Sequence, residues 1–235
     1  MWRKGLILLT ILAVGLVAVV YWSYSGAIVR LPVDAKVVAL TFDDGPNPPH
    51  TEALLKLLAE HDVKATFFLK GSHVEAFPET ARMVARADHE IANHSYSHKP
   101  MISLRRESMQ EEIVRTGELI DTHLELDYSP RLFRPPYGLQ GPGVKRAIDE
   151  LGMISILMSD HGSDWEVTDP ALIAEAVLES VEPGAIILLH DGHGDVDDPY
   201  SQDSRAPTVE ATGIIIQSLK SRGYDFVTVS ELLAR

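Results

Sequence analysis

Beyond residue 35 the chain alternates between short apolar runs and stretches in which apolar residues return every three or four positions. The runs read as buried strands and the periodic stretches as amphipathic helices. Strands are predicted at residues 37–42, 65–69, 90–92, 132–133, 154–158, 185–189 and 225–229. Helices are predicted at 49–60, where Leu54, Leu57 and Leu58 mark the apolar face, at 78–87 and at 104–124. Asp169-Pro170 supplies an N-cap and a first-turn proline for a further helix that ends before Pro183-Gly184. Pro207 opens the last one, which Gly223 closes. This alternation predicts an α/β fold, a deformed (β/α) barrel of about seven parallel strands with helices between them.

Upstream the pattern changes. Trp2-Arg3-Lys4 precedes an uncharged apolar run over residues 5–22, roughly eighteen residues, close to the ~20 that span a bilayer. The positive flank keeps that end cytoplasmic. Aromatic residues at 21, 22 and 24 and the lack of a clear small-x-small cleavage site favour one N-terminal transmembrane helix over a cleaved signal that would leave the protein secreted. The expected organisation is a membrane anchor or signal segment at 1–26, a linker at 27–35 and a catalytic domain at 36–235, outside the cytoplasmic membrane. The helix at 104–124 shows no coiled-coil seam, so a monomer is expected.

Composition narrows the chemistry. With no cysteine, disulfides, thiol nucleophiles and cysteine-held zinc are excluded, and any metal must sit on His, Asp or Glu. A formal net charge of -13 argues against a nucleic-acid partner.

In a barrel of this kind the chemistry gathers at the carboxyl ends of the strands. Asp43-Asp44 end the first predicted strand, and two adjacent carboxylates call for positive charge nearby. His94 and His98, four residues apart after the third strand, can face one ion together with a carboxylate. Zinc suits that set with an open position for water, and so does the iron(II) of non-haem oxygenases. Arg134, between Phe133 and Pro135-Pro136, is held in a rigid surround and can orient Asp43. His190 ends the apolar run 185–189 and is a candidate general acid, with Asp164 as the partner that raises its pKa and Trp165 packing beside it.

These residues resemble the polysaccharide deacetylase family, carbohydrate esterase family four. The resemblance runs from about residue 36 to 233 and rests on TFDDGPNP at 41–48, HSYSH at 94–98, RPPYG at 134–138, Asp164-Trp165 and ILLH at 187–190. It implies Asp43 as general base, Asp44, His94 and His98 as metal ligands, Arg134 as the residue orienting Asp43, and His190 as general acid tuned by Asp164. It also implies an oxyanion contact from the backbone N–H of Tyr137, and an acetyl pocket lined by Leu188 beside Trp165. The implied activity is metal-dependent removal of N-acetyl groups from an N-acetylglucosamine-containing glycan of peptidoglycan or chitin type, with zinc as the expected metal. An O-acetyl esterase and a non-catalytic glycan-binding barrel are the alternatives.

One motif departs from the family pattern. Where Asp-x-x-Asp-Trp is expected, His161 replaces the first aspartate, Asp160 lies one residue early, and Met158 stands where a tryptophan is common. The change touches the groove wall and so bears on substrate choice. The Gly- and Asp-rich stretch from 191 to 204 reads as a solvated loop whose negative charge disfavours polyanionic substrates.

Overall fold

The computed structural model describes residues 26–126, 129–194 and 204–235. The expected membrane span at 5–22 lies outside them, and no helix among the described residues is long and apolar enough to cross a membrane.

Eight strands form one sheet: β1 Val37–Asp43, β2 Thr66–Leu69, β3 Glu90–Asn93, β4 Leu132–Phe133, β5 Ile154–Ser155, β6 Asp160–His161, β7 Ile186–His190 and β8 Asp225–Val227. Their order is β5-β4-β3-β2-β1-β7-β6, with β8 added to β1, and every pairing is parallel. Among the described residues eight α-helices accompany them: α1 His50–Glu60, α2 Gly71–Ala76, α3 Pro78–Arg86, α4 Arg106–Leu124, α5 Gly141–Glu150, α6 Pro170–Ser180, α7 Ala206–Ser221 and α8 Val229–Leu233. The expected parallel sheet of about seven strands is borne out, with one short strand more than the sequence pattern shows. The additional strand β6 has only two residues, too few for any periodicity to register. The predicted strand at 225–229 stops at Val227, because Thr228 and Glu231 form a reciprocal capping box that opens α8.

The strand path is open between β5 and β6. Residues 28–31, expected as part of a linker, span that gap. The Ile28 N–H donates to Ser155 O at 3.0 Å, Leu157 N–H donates to Ile28 O at 2.8 Å, and Leu31 N–H donates to Gly184 O at 3.0 Å. Gly184 has φ +79°, and a Cβ there would lie 1.9 Å from Leu31 O, so the close approach requires glycine.

β1 is central and buried along its whole length. The two-residue period of a strand divides it between two cores. Val38, Leu40 and Phe42 pack with the helices, against Leu54, Leu58 and Ile215. Val37 and Ala39 face the barrel interior with Phe68, Ala92 and Ile186. Thr41 and Asp43 continue that inner row toward the carboxyl end. On β7, Ile186 belongs to the same interior, and the period carries Leu188 and His190 to that face. Strand register then sets Asp43 directly beside His190.

Candidate active site

Alternation alone would turn Asp44 away from Asp43. Its left-handed backbone, φ 72°, breaks the alternation just past β1 and lets both carboxylates reach the same site. Ser95, His98, Tyr137 and Ser163 also have positive φ and lie in the loops at that end. Backbone strain of this kind, of order 1–3 kcal/mol per residue, persists only where surrounding contacts enforce it. Glu112 of α4 enforces it at the histidine loop. Its carboxylate accepts from Tyr96 N–H at 3.1 Å, Ser97 N–H at 2.7 Å and Ser97 Oγ at 2.6 Å. The four-residue histidine spacing is thus realised in a tight loop.

Asp44, His94 and His98 are all buried, with one ligand atom of each within 4.8 Å of the others. Asp44 Oδ1 lies 3.4 Å from His94 Nε2 and 3.5 Å from His98 Nε2. It has no hydrogen-bond partner among the described residues. A buried, orphaned carboxylate oxygen facing two imidazole nitrogens is what a metal-ligand set presents without its ion. His94 Nδ1 lies 2.8 Å from the carbonyl of Arg134, so that nitrogen carries the proton and Nε2 is left to face the cluster. The donor set fits a divalent cation. Burial alone would raise the pKa of Asp44, but the fields of His98 and His94, then His190 and Lys70, hold it well below the usual carboxylate range.

Behind the cluster stands Arg134, fully buried with its guanidinium carbon 4.0 Å over the Phe68 ring. Its Nη1 donates to Asp43 Oδ1 at 2.6 Å and to Thr41 Oγ1 at 2.9 Å, and Nη2 donates to Leu157 O at 3.0 Å. Asp43 Oδ2 lies 3.6 Å from His94 Nε2. The arginine therefore aims one carboxylate oxygen and leaves the other at the cluster.

Across the site His190 Nδ1 pairs with Asp164 Oδ1 at 2.8 Å. Asp164 Oδ2 accepts from the His190 N–H at 2.8 Å and from Thr208 Oγ1 at 2.9 Å. Burial works to lower the pKa of His190, and the Asp164 carboxylate overrides it, raising the value to about 9. Trp165 meets the His190 ring edge-on at 5.5 Å and stacks tilted on His161 at 5.1 Å.

These groups surround one cavity of about 560 Å³. Asp43, Asp44, His94, His98, Tyr137, Trp165, Leu188 and His190 line it, whereas Arg134 and Asp164 stand behind Asp43 and His190. Tyr137 and Trp165 remain about half exposed, at 49% and 46%. Met158 and His161, which depart from the family motif, are on the wall.

Sequence reasoning missed four supporting residues: Glu112, Lys70, Arg205 and Asp191. Lys70 is buried after β2 and donates to the carbonyls of His193 at 3.3 Å and Gly194 at 3.0 Å. Asp191 is buried beside Gly45 and accepts from Thr51 Oγ1 at 2.6 Å. Burial pushes its carboxyl up to about 7, against the pull of that hydrogen bond. Arg205, a lone cation at the end of an acidic loop, was the one with a legible signal.

A parallel β/α barrel with an Asp-His-His cluster, an arginine-held carboxylate and a carboxylate-paired histidine at its strand ends marks a candidate metal-dependent active site. The family model for polysaccharide deacetylase matches residues 30–156. A peptidoglycan-N-acetylglucosamine deacetylase of Bacillus cereus is 35% identical over 206 residues, covering 87% of this chain and 91% of its own. A chitooligosaccharide deacetylase of Sinorhizobium fredii is 35% identical over 203 residues, with 86% and 94% covered. A crystal structure described as a pseudoenzyme of carbohydrate esterase family 4 from Bacillus anthracis superposes with a TM-score of 0.79 at 30% identity, covering 89% of this chain and 69% of that one. The chain belongs to the polysaccharide deacetylase family of hydrolases.

Proposed function

We propose that the protein removes N-acetyl groups from an N-acetylglucosamine-containing glycan, of peptidoglycan or chitin type, with zinc as its metal. The observation that carries this reading is the convergence of two differently held groups on one cavity. Asp43 is aimed by Arg134, and His190 is kept charged by Asp164, on adjacent strands in register. The names of the two relatives above support the substrate class. The apolar run at 5–22 behind Arg3-Lys4 supports a working place on the outer side of the cytoplasmic membrane, where such glycans lie.

A divalent cation held by Asp44, His94 and His98 would supply Lewis-acid activation of the acetyl carbonyl and the attacking water. Asp43 takes a proton from that water, with Arg134 preventing the carboxylate from turning away. The Tyr137 backbone N–H supports the developing oxyanion. His190, as imidazolium, gives its proton to the departing sugar nitrogen. Leu188 and Trp165 enclose the acetyl methyl. No covalent intermediate is required.

The experiment is acetate release by a soluble chain beginning at Ala27, given N-acetylglucosamine oligomers and peptidoglycan, with added zinc and with a chelator. Chelator-sensitive acetate is the expected result. The pseudoenzyme relative makes the negative outcome specific: glycan binding by the folded, zinc-loaded protein without acetate would identify a binding barrel instead.

The acid pair yields a pH prediction. A histidine raised to about 9 stays protonated through neutral pH, so the alkaline limb of kcat should fall near 9. Asp164→Asn removes the charge that raises it, and the limb should move down toward ~6.5. The sign for stability is the same. The pair's contribution is full below ~6.5 and is lost as pH rises through about 9. A pH profile of kcat that is identical in wild type and Asp164→Asn would remove His190 from the role of acid.

A further inference from the structure

Of ten histidines in the chain, five line the cavity, and two of these, His161 and His193, have no part in the proposed reaction. His193 is the one held from both sides. Arg205, only 7% exposed, donates to three separate acceptors. Its Nε reaches Gly192 O at 2.7 Å, its Nη1 reaches Asp164 O at 2.9 Å, and its Nη2 lies 3.1 Å from His193 Nδ1. A guanidinium has donors only, so His193 Nδ1 must accept and the ring carries its one proton on Nε2. From the opposite side the buried Lys70 grips the carbonyls of His193 and Gly194. The next residue is packed as tightly: a Cβ on Gly194 would lie 2.3 Å from the His98 ring. Because Arg205 also holds the Asp164 backbone, His193 is fixed in register with the His190–Asp164 pair.

Two buried cations and a glycine contact are more than a solvated loop end requires. Their shared result is one neutral imidazole with a defined tautomer in the cavity wall. We propose that His193 is a specificity-determining residue, whose Nε2–H hydrogen-bonds an uncharged oxygen of the glycan, a hydroxyl or acetamido carbonyl. Arg205 is its positioning residue. This inference rests on the deacetylase reading above and adds the polar contact that orients the sugar on the β7 side of the cavity.

The test uses the N-acetylglucosamine tetramer, with acetate release and calorimetric binding measured on the zinc-loaded protein. His193→Ala should raise KM and Kd about tenfold, the loss of one buried hydrogen bond, with kcat within about twofold. His193→Gln, which keeps an amide N–H at the same reach, should recover most of the affinity. Nitrogen-15 NMR should report the Nε2–H tautomer for His193 in wild type and a tautomer mixture in Arg205→Lys, a change that a purely structural role for the arginine would not produce. Acetate release with unchanged KM in His193→Ala, or an Nδ1–H tautomer in wild type, would overturn the inference and leave the deacetylase reading intact. A wild-type protein that neither releases acetate nor binds the tetramer would overturn both. One that binds the tetramer without releasing acetate would overturn the deacetylase reading, and the Kd of His193→Ala would still decide the contact.

Discussion

Asp43→Asn should lower kcat by about a thousandfold or more while the protein keeps its divalent cation, within the range expected for loss of a general base. The substitution is nearly isosteric, so the amide oxygen can still accept from Arg134 Nη1, and the Asp44, His94 and His98 side chains are left in place. What disappears is the basic lone pair facing the cluster. Acetate release paired with metal content by mass spectrometry separates the two effects, because His94→Ala should lose the metal together with the activity. Near-normal turnover by Asp43→Asn would show that another group takes the proton.

Arg134→Met should reduce both stability and turnover. The guanidinium is fully buried and its salt-bridge partner, Asp43, is nearly so. Removing the cation leaves Asp43 charged beside Asp44 with little water to screen either. Breaking a buried pair in this way costs about 3–5 kcal/mol, a large fraction of the roughly 5–15 kcal/mol by which domains are stable. Arg134→Lys should recover only part of the loss, since an ammonium cannot reproduce the planar fork to Asp43, Thr41 and Leu157. Denaturant unfolding measures the effect directly. The double variant Asp43→Asn, Arg134→Met buries no unpaired charge at this position and should be more stable than Arg134→Met alone. Equal stabilities would mean that the arginine acts by packing rather than by charge.

The parts of the fold legible in the sequence were those with enough length to show a period. β1 and β7 are apolar almost throughout, as strands buried on both faces must be, and each ends in a chemically distinctive residue. α2, with six residues, is shorter than a helical window, and α5 opens with Gly141-Pro142-Gly143, which reads as a turn. The site followed the same division. Asp43, Asp44, His94, His98, Arg134 and His190 were visible because each ends a strand or lies within a few residues past one. Glu112 looked like one acid among several on a polar helix, and its contacts with the loop 96–97 exist only after α4 packs behind β3. Lys70 acts on loop carbonyls, which have no sequence signature at all, and Arg205 showed only as a lone cation closing an acidic stretch, with nothing to name its acceptors.

The strap at 28–31 has a consequence for how the molecule meets its neighbours. An open parallel sheet ends in strands whose outer N–H and C=O groups can template another chain. Here the strap occupies such groups at Ser155 and Leu157 past one edge and at Gly184 below the other, with Arg30 paired to the buried Asp160 alongside. A chain shortened past Val33 would uncover both places together. It would lose more than a few hydrogen bonds, because two copies could then satisfy through each other what one copy now satisfies alone. The same few residues that complete the barrel therefore also keep its edges from acting as adhesive.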